Sequence, residues 1–289
     1  MNLKFVALTG ERDMSQTEPD VSIEVLDSIT KLTDDHRGQV VIAASHGAEY
    51  AAYLAAKGGA RAVILNNAGV GKNEAGISGL PYLEALGIPA ATVSHRSARI
   101  GDGADMLARG TISHVNRSAE TLGCVTGQSC KQCADHLRAA PAVTTKPPAQ
   151  SENRILLRQN PGEPEVWGLD SISLILPEDK NRIVISGSHG EALGGKPETA
   201  LKYDAIAAVF NDAGIGIDKA GLSRLPALDS RQIPAATVFA ESARIGDGRS
   251  IYEDGVISCV NETAAALGVT VGMRTPKFVE RVIASLNRG

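Results

Sequence analysis

The chain carries the same heptapeptide twice. Ser97-Ala98-Arg99-Ile100-Gly101-Asp102-Gly103 recurs unchanged as Ser242-Ala243-Arg244-Ile245-Gly246-Asp247-Gly248, an offset of 145 residues (242 − 97). Ile88-Pro89-Ala90-Ala91-Thr92-Val93 and Ala75-Gly76 recur in the same register, as Ile233-Pro234-Ala235-Ala236-Thr237-Val238 and Ala220-Gly221. Two residues of slippage upstream align Leu26-Asp27-Ser28-Ile29 with Leu169-Asp170-Ser171-Ile172, and Ser45-His46-Gly47 with Ser188-His189-Gly190. A period this long duplicates a domain-sized unit, not a solenoid turn. The 289 residues are enough for two such units, each with its own core. The expected division is a first repeat over 1–139, a Pro-rich linker over 140–153 holding Pro141, Pro147 and Pro148, and a second repeat over 154–289.

Each repeat reads as short apolar runs separated by helix-length segments. In the first copy the runs are Val40–Ala44, Ala62–Leu65 and Ala90–Val93; in the second, Ile183–Ser186 and Ala207–Phe210. Helices are expected at Ala48–Ala56 and at Ala75–Leu86, the latter capped by Gly87. Met1–Gly10 reads as an opening strand, too short in its apolar part for a signal peptide. Strands that are continuously apolar belong in parallel sheets covered on both faces. The expected fold is therefore α/β: two tandem α/β sandwich units with mainly parallel sheets, related by a pseudo-twofold.

Composition narrows the function. Aromatic residues make up 3%, too few for a base-stacking platform, and the net charge is −4 with no Lys/Arg run. No apolar run is long enough to span a bilayer. Nucleic acid and membrane are thus not expected partners. A cytoplasmic protein with reduced thiols is expected, and a homo-oligomer is left open. Cys124, Cys130, Cys133 and His136 have the look of a zinc knuckle, but Cys133 corresponds to Phe278 and His136 to Arg281, which reads as a core position instead.

Every polar element shared by the copies falls at the carboxyl end of an expected strand, where open parallel sheets bind ligands. His46 and His189 are the candidate general bases. Asn66 and Asn211 are candidates to polarise a substrate carbonyl, the other role of such residues being an Asx turn. Arg99 and Arg244 are candidate anion ligands; Ser45, Ser188, Ser97, Ser242 and His95 complete the candidate binding set. Asp102 and Asp247 read as loop-fixing partners of the Arg residues, and Asn116 and Asn261 as helix N-caps. The first copy carries extra polar groups, with Lys72, Asn67, His95-Arg96 and His114 facing Ile217, Asp212, Ala240-Glu241 and Cys259. That biases the expected site toward the first copy.

Asn66-Asn67-Ala68-Gly69, with Tyr53 and Lys57 four residues apart, resembles elements of short-chain dehydrogenases, but in reversed order and without the glycine-rich phosphate loop, so no dinucleotide is implied. The expected function is an enzyme acting on a small, polar, anionic metabolite by acid–base chemistry, a hydrolase ahead of a lyase, in a cleft between the repeats. A non-catalytic two-lobed binding module, or a subunit supporting a partner enzyme, is the alternative. A divalent-metal enzyme using His46, His95 and Asp102 is a weaker one; no cofactor is otherwise expected.

Overall fold

The computed structural model describes residues 21–287, and the expected opening strand at 1–10 lies outside them. The first repeat forms a five-stranded sheet in sequential order: β1 (Ile23–Leu26), β2 (Val40–His46), β3 (Ala62–Asn66), β4 (Ala90–Val93) and β5 (Ile112–Val115). β1 to β4 are parallel and β5 is antiparallel. The second sheet is built from β6 (Arg154–Arg158), β7 (Val166–Leu169), β8 (Ile183–His189), β9 (Ala207–Asn211), β10 (Ala235–Val238) and β11 (Ile257–Val260). Here β7 to β10 are parallel, flanked by antiparallel β6 and β11. The helices are α1 (Glu49–Lys57), α2 (Gly79–Ala85), α3 (Gly103–Arg109), α4 (Arg117–Glu120), α5 (Cys130–Leu137), α6 (Arg224–Asp229), α7 (Gly248–Glu253), α8 (Glu262–Ala266) and α9 (Thr275–Leu286).

The all-apolar strands are covered on both faces. Val40, Ile42 and Ala44 of β2 point to one side, with Met106, Cys130, Cys133 and Leu137 of α3 and α5. Val41 and Ala43 point to the other, with Ala51, Ala52, Ala55 and Leu83 of α1 and α2. This is the two-fold side-chain alternation of a strand realised as two core layers. Cys133 and its counterpart Phe278 are both fully buried in these layers. His136 points away, its Nδ1 on the Gly123 carbonyl at 2.8 Å.

Two local expectations change. Ala75–Leu86 is not one helix: a 3₁₀ segment, Lys72–Ile77, holds Asn73 and Glu74 in the left-handed region and precedes α2. No helix equivalent to α1 follows β8, where short 3₁₀ turns at Leu193–Gly195 and Pro197–Thr199 take its place. Gly194 and Gly195, both at positive φ, and Pro197 break the helix within this segment. Gly79 begins α2 against α1, where a Cβ would fall 2.6 Å from that of Ala52. The equivalent residue of the second repeat is Arg224, whose buried side chain fills the room of the missing helix.

The repeats meet through the strand ends of β3, β4, β9 and β10, and the contacts are reciprocal. Lys72 N donates to the Ala240 carbonyl and Ile217 N to the His95 carbonyl, both at 2.8 Å, with the two donors and the two acceptors 145 positions apart. Gly69 and Gly214 touch each other: a Cβ on Gly69 would lie 2.8 Å from Gly214 Cα, and one on Gly214 2.9 Å from Gly69 Cα. Ala68, Ile100, Ala213 and Ile245 bury an apolar cluster around this contact. An exchange of partners of this kind is the pattern that the expected twofold would generate. Ion pairs Lys72–Asp254 (2.9 Å) and Arg99–Asp218 (2.9 Å) close the rim.

Gly69 has φ 77°, and Gly87 has φ 72° with nothing within 4 Å of an added Cβ. Gly87→Ala should therefore cost only the left-handed penalty of about 1 kcal/mol. Gly69→Ala should cost that and about 1–3 kcal/mol more for the overlap. Denaturant titrations of the two variants check the difference, and equal losses would mean that the glycine contact does not hold the repeats together.

Candidate site in the cleft between the repeats

The Ser-His-Gly strand ends are shaped by a glycine need. Gly47 N donates to the Asn66 carbonyl (2.7 Å) and Gly190 N to that of Asn211 (2.8 Å). A Cβ at either glycine would fall within 2.5 Å of a carbonyl oxygen, that of Gly76 or of Gly221. The chain thus turns immediately after each histidine and leaves the ring at the strand end.

Both rings line one cavity of about 350 Å³. Its walls repeat: Ser28, Ile29, Thr30, Ser45 and His46 from the first copy, and Ser171, Ile172, Ser173, Ser188 and His189 from the second. These are the ends of β1 and β2 facing the ends of β7 and β8. Each histidine also packs on the opposite repeat's Ser-Ala-Arg loop. A Cβ on Gly246 would lie 3.5 Å from His46 Cε1, and one on Gly101 3.4 Å from His189 Cε1. The remaining walls differ between the copies, with Tyr50 and Leu54 of α1 and Glu152 of the linker on one side, and Leu193, Lys202 and Arg224 on the other.

Dehydration sets the charge states. Burial pushes the His46 imidazole down to about 4, and its Nδ1 is buried without a hydrogen bond. His189 is lowered well below its ordinary value by burial, then by the Arg224 charge and by His46. The Glu191 N–H donates to His189 Nδ1 (3.3 Å), which leaves the neutral ring's proton on Nε2. Burial pushes the Glu191 carboxyl up to about 8 and that of Glu152 up to about 7. Arg224 is lowered to about 10 by burial, so it stays a cation at neutral pH. Its Nε donates to the His189 carbonyl (3.1 Å) and its Nη1 to those of Thr199 (3.0 Å) and Ala200.

Of the candidate residues, Ser45, His46, Ser188 and His189 come together in this cavity. Asn66 and Asn211 do not line it. They are fully buried, with Oδ1 accepting from the N–H two residues on (2.9 Å in each) and Nδ2 donating to the Ala98 and Ala243 carbonyls. They are the Asx turns of the alternative reading. Ser97 and Ser242 bridge Ser94 to Thr111 and Phe239 to Val256, fixing their loops. His95 sits in the contact between repeats, its ring on Asn67 Oδ1 and against Gly214. Arg99 is engaged with Asp218, while Arg244 lines an adjoining cavity of about 500 Å³ that also reaches His46 and Glu152.

Asp102 and Asp247 cap α3 and α7, and Asn116 and Asn261 cap α4 and α8, as read for the asparagines. The metal trio is not assembled: Asp102 is tied to its cap and His95 to Asn67, and among the described residues no three His, Cys, Asp or Glu side chains gather. Two of the first copy's extra polar groups lie outside this cavity. Lys72 and His95 serve the interface, and the polar groups added behind the histidines, Glu191 and Arg224, belong to the second copy. They were legible as the replacements of Ala48 and Gly79; Glu152, in a linker with no counterpart, carried no such signal. No known protein family, curated protein or solved structure matches the chain.

Glu191 yields a pH test. Its folded-state pKa of about 8 exceeds the ordinary 4.5, so the native state holds an extra proton between those values. That contribution is complete below pH 4.5 and is lost as pH rises through 8. Melting temperature should fall from pH 6.5 to pH 8.5, and Glu191→Gln should flatten the slope. The same slope in the variant would assign it to another group, Glu152 first.

Proposed function

We propose that the protein is an enzyme acting on a small polar anion by acid–base chemistry in the cleft between its repeats. The supporting observation is the pair of dehydrated histidines that line one cavity from equivalent strand ends. The reading assigns them different parts. His46 is the base: burial keeps its ring neutral at pH 7, so one ring nitrogen carries a lone pair that can take a proton. His189, held as the Nε2–H tautomer by Glu191 N, is a donor that polarises a substrate oxygen or protonates a leaving group. Arg224 supplies the fixed positive charge that favours an anionic substrate. Hydrolysis remains the favoured reaction, with water as the nucleophile that His46 deprotonates; a lyase would use the same base on carbon.

The alternative, a non-catalytic binding module, draws on the same cavity and lacks only turnover. His46→Gln separates the two, since the amide keeps hydrogen bonding but cannot cycle a proton. A panel of small esters, amides and hydroxy acids supplies the turnover assay. Any turnover found should fall about 10²–10⁴-fold in His46→Gln while the melting temperature stays within a few degrees. Undiminished turnover in His46→Gln would remove it as the base, and ligand binding without turnover of any panel member would favour the module.

A further inference from the structure

The walls of the cavity are copies of each other, and this constrains what fits between them. Ser45 Oγ accepts the N–H of Ile29 and Ser188 Oγ that of Ile172, both at 2.9 Å. A hydroxyl oxygen that accepts a backbone proton keeps its own O–H to donate elsewhere. Among the described residues, Ser45 Oγ has besides Ile29 only Ser28 Oγ near it, at 3.5 Å with either oxygen able to donate, and Ser188 Oγ meets no acceptor. Thr30 and Ser173 add a hydroxyl to each wall, on the Oγ of Ser28 and of Ser171 at 2.8 Å. The cavity therefore has serine hydroxyls with a proton to donate on two opposite sides, one set per repeat.

A ligand that satisfies both sets has acceptor oxygens at both ends. The ends are not equivalent in charge. Arg224 and Lys202 lie on the second-repeat side with Glu198, and Glu152, whose carboxyl burial pushes up to about 7, on the first. A volume of about 350 Å³ is at the small end of ligand pockets. Resting on the anion-binding reading above, we propose that the substrate class is the short dicarboxylic acids of about four to six carbons. One carboxylate faces Arg224 and Ser188, and the other carboxyl faces Ser45 and Thr30.

Titration calorimetry on the full chain with butanedioate and pentanedioate, against butanoate and pentanoate, tests this. The diacids should bind about tenfold more tightly or better than the monoacids of equal length, the gain expected from one further hydrogen-bonded end. Ser45→Ala should bring diacid affinity down to the monoacid level and leave monoacid affinity unchanged. Thr30→Val, at an exposed position that does not carry the fold, should lose part of the preference in the same direction. Equal binding of mono- and diacids, or diacid binding indifferent to both variants, would overturn the two-ended ligand and leave the anion site standing. Binding of neither class would overturn both.

Discussion

The backbone contact between Gly69 and Gly214 is the constraint on which the site depends. Two sequential parallel sheets have no internal switch point in strand order, so neither repeat makes its own crevice. Here the crevice comes from apposing the carboxyl ends of two sheets. The ends of β3, β4, β9 and β10 are close enough for peptide groups to touch, and the ends of β1, β2, β7 and β8 are thereby held across a gap. A side chain at either glycine would push the sheets apart at the place where Lys72 and Ile217 exchange hydrogen bonds with Ala240 and His95. The repeated Gly-x-Gly segments, at 69–71 and 214–216, are contact surfaces.

The second repeat departs from the first where Arg224 replaces Gly79. A glycine at position 79 lets α1 lie directly on the start of α2. In the second repeat Arg224 stands there, and the Gly194-Gly195-Lys196-Pro197 segment folds as 3₁₀ turns, at whose end carbonyls accept from the arginine. A buried guanidinium is costly unless its donors are met, and the Thr199, Ala200 and His189 carbonyls meet them, with the Phe210 ring 5.1 Å away. Burial lowers the imidazole of His189 first, and the cation of Arg224 lowers it further.

The sequence made the architecture legible because buried parallel strands leave continuous apolar runs, and the duplication allowed each run to be checked against its copy. It also placed His46, His189, Ser45 and Ser188 at strand ends, and all four line the cavity. What it could not separate was a polar residue kept for the fold from one kept for a ligand. Asn66 and Asn211 repeat as faithfully as the histidines, yet both ends of each amide are spent on backbone groups. The extra His, Arg and Lys of the first copy carried the same ambiguity. Lys72 and His95 are copy-specific because the interface needs a partner for Asp254 and a ring over Gly214. The informative asymmetry was Arg224 in place of Gly79, which reads as an ordinary helix residue until its burial is seen.

Dehydration ties the charge states of the site together. It lowers both imidazoles and raises both carboxyls, so near neutral pH His46 and His189 are uncharged, Glu191 is largely protonated and Glu152 about half protonated. The buried charge that survives beside the cavity is Arg224. On the proposed reading, an anion entering the cavity is drawn to this cation. That anion also acts on the base. A carboxylate near His46 favours its imidazolium form and so raises its pKa from about 4 toward neutrality, where proton transfer is most effective. On the proposed reading the base is weak while the cavity is empty and strengthens when an anion fills it. The pKa of His46, followed by NMR, should therefore rise when butanedioate is added, and an unchanged pKa with the ligand bound would place that carboxylate away from His46.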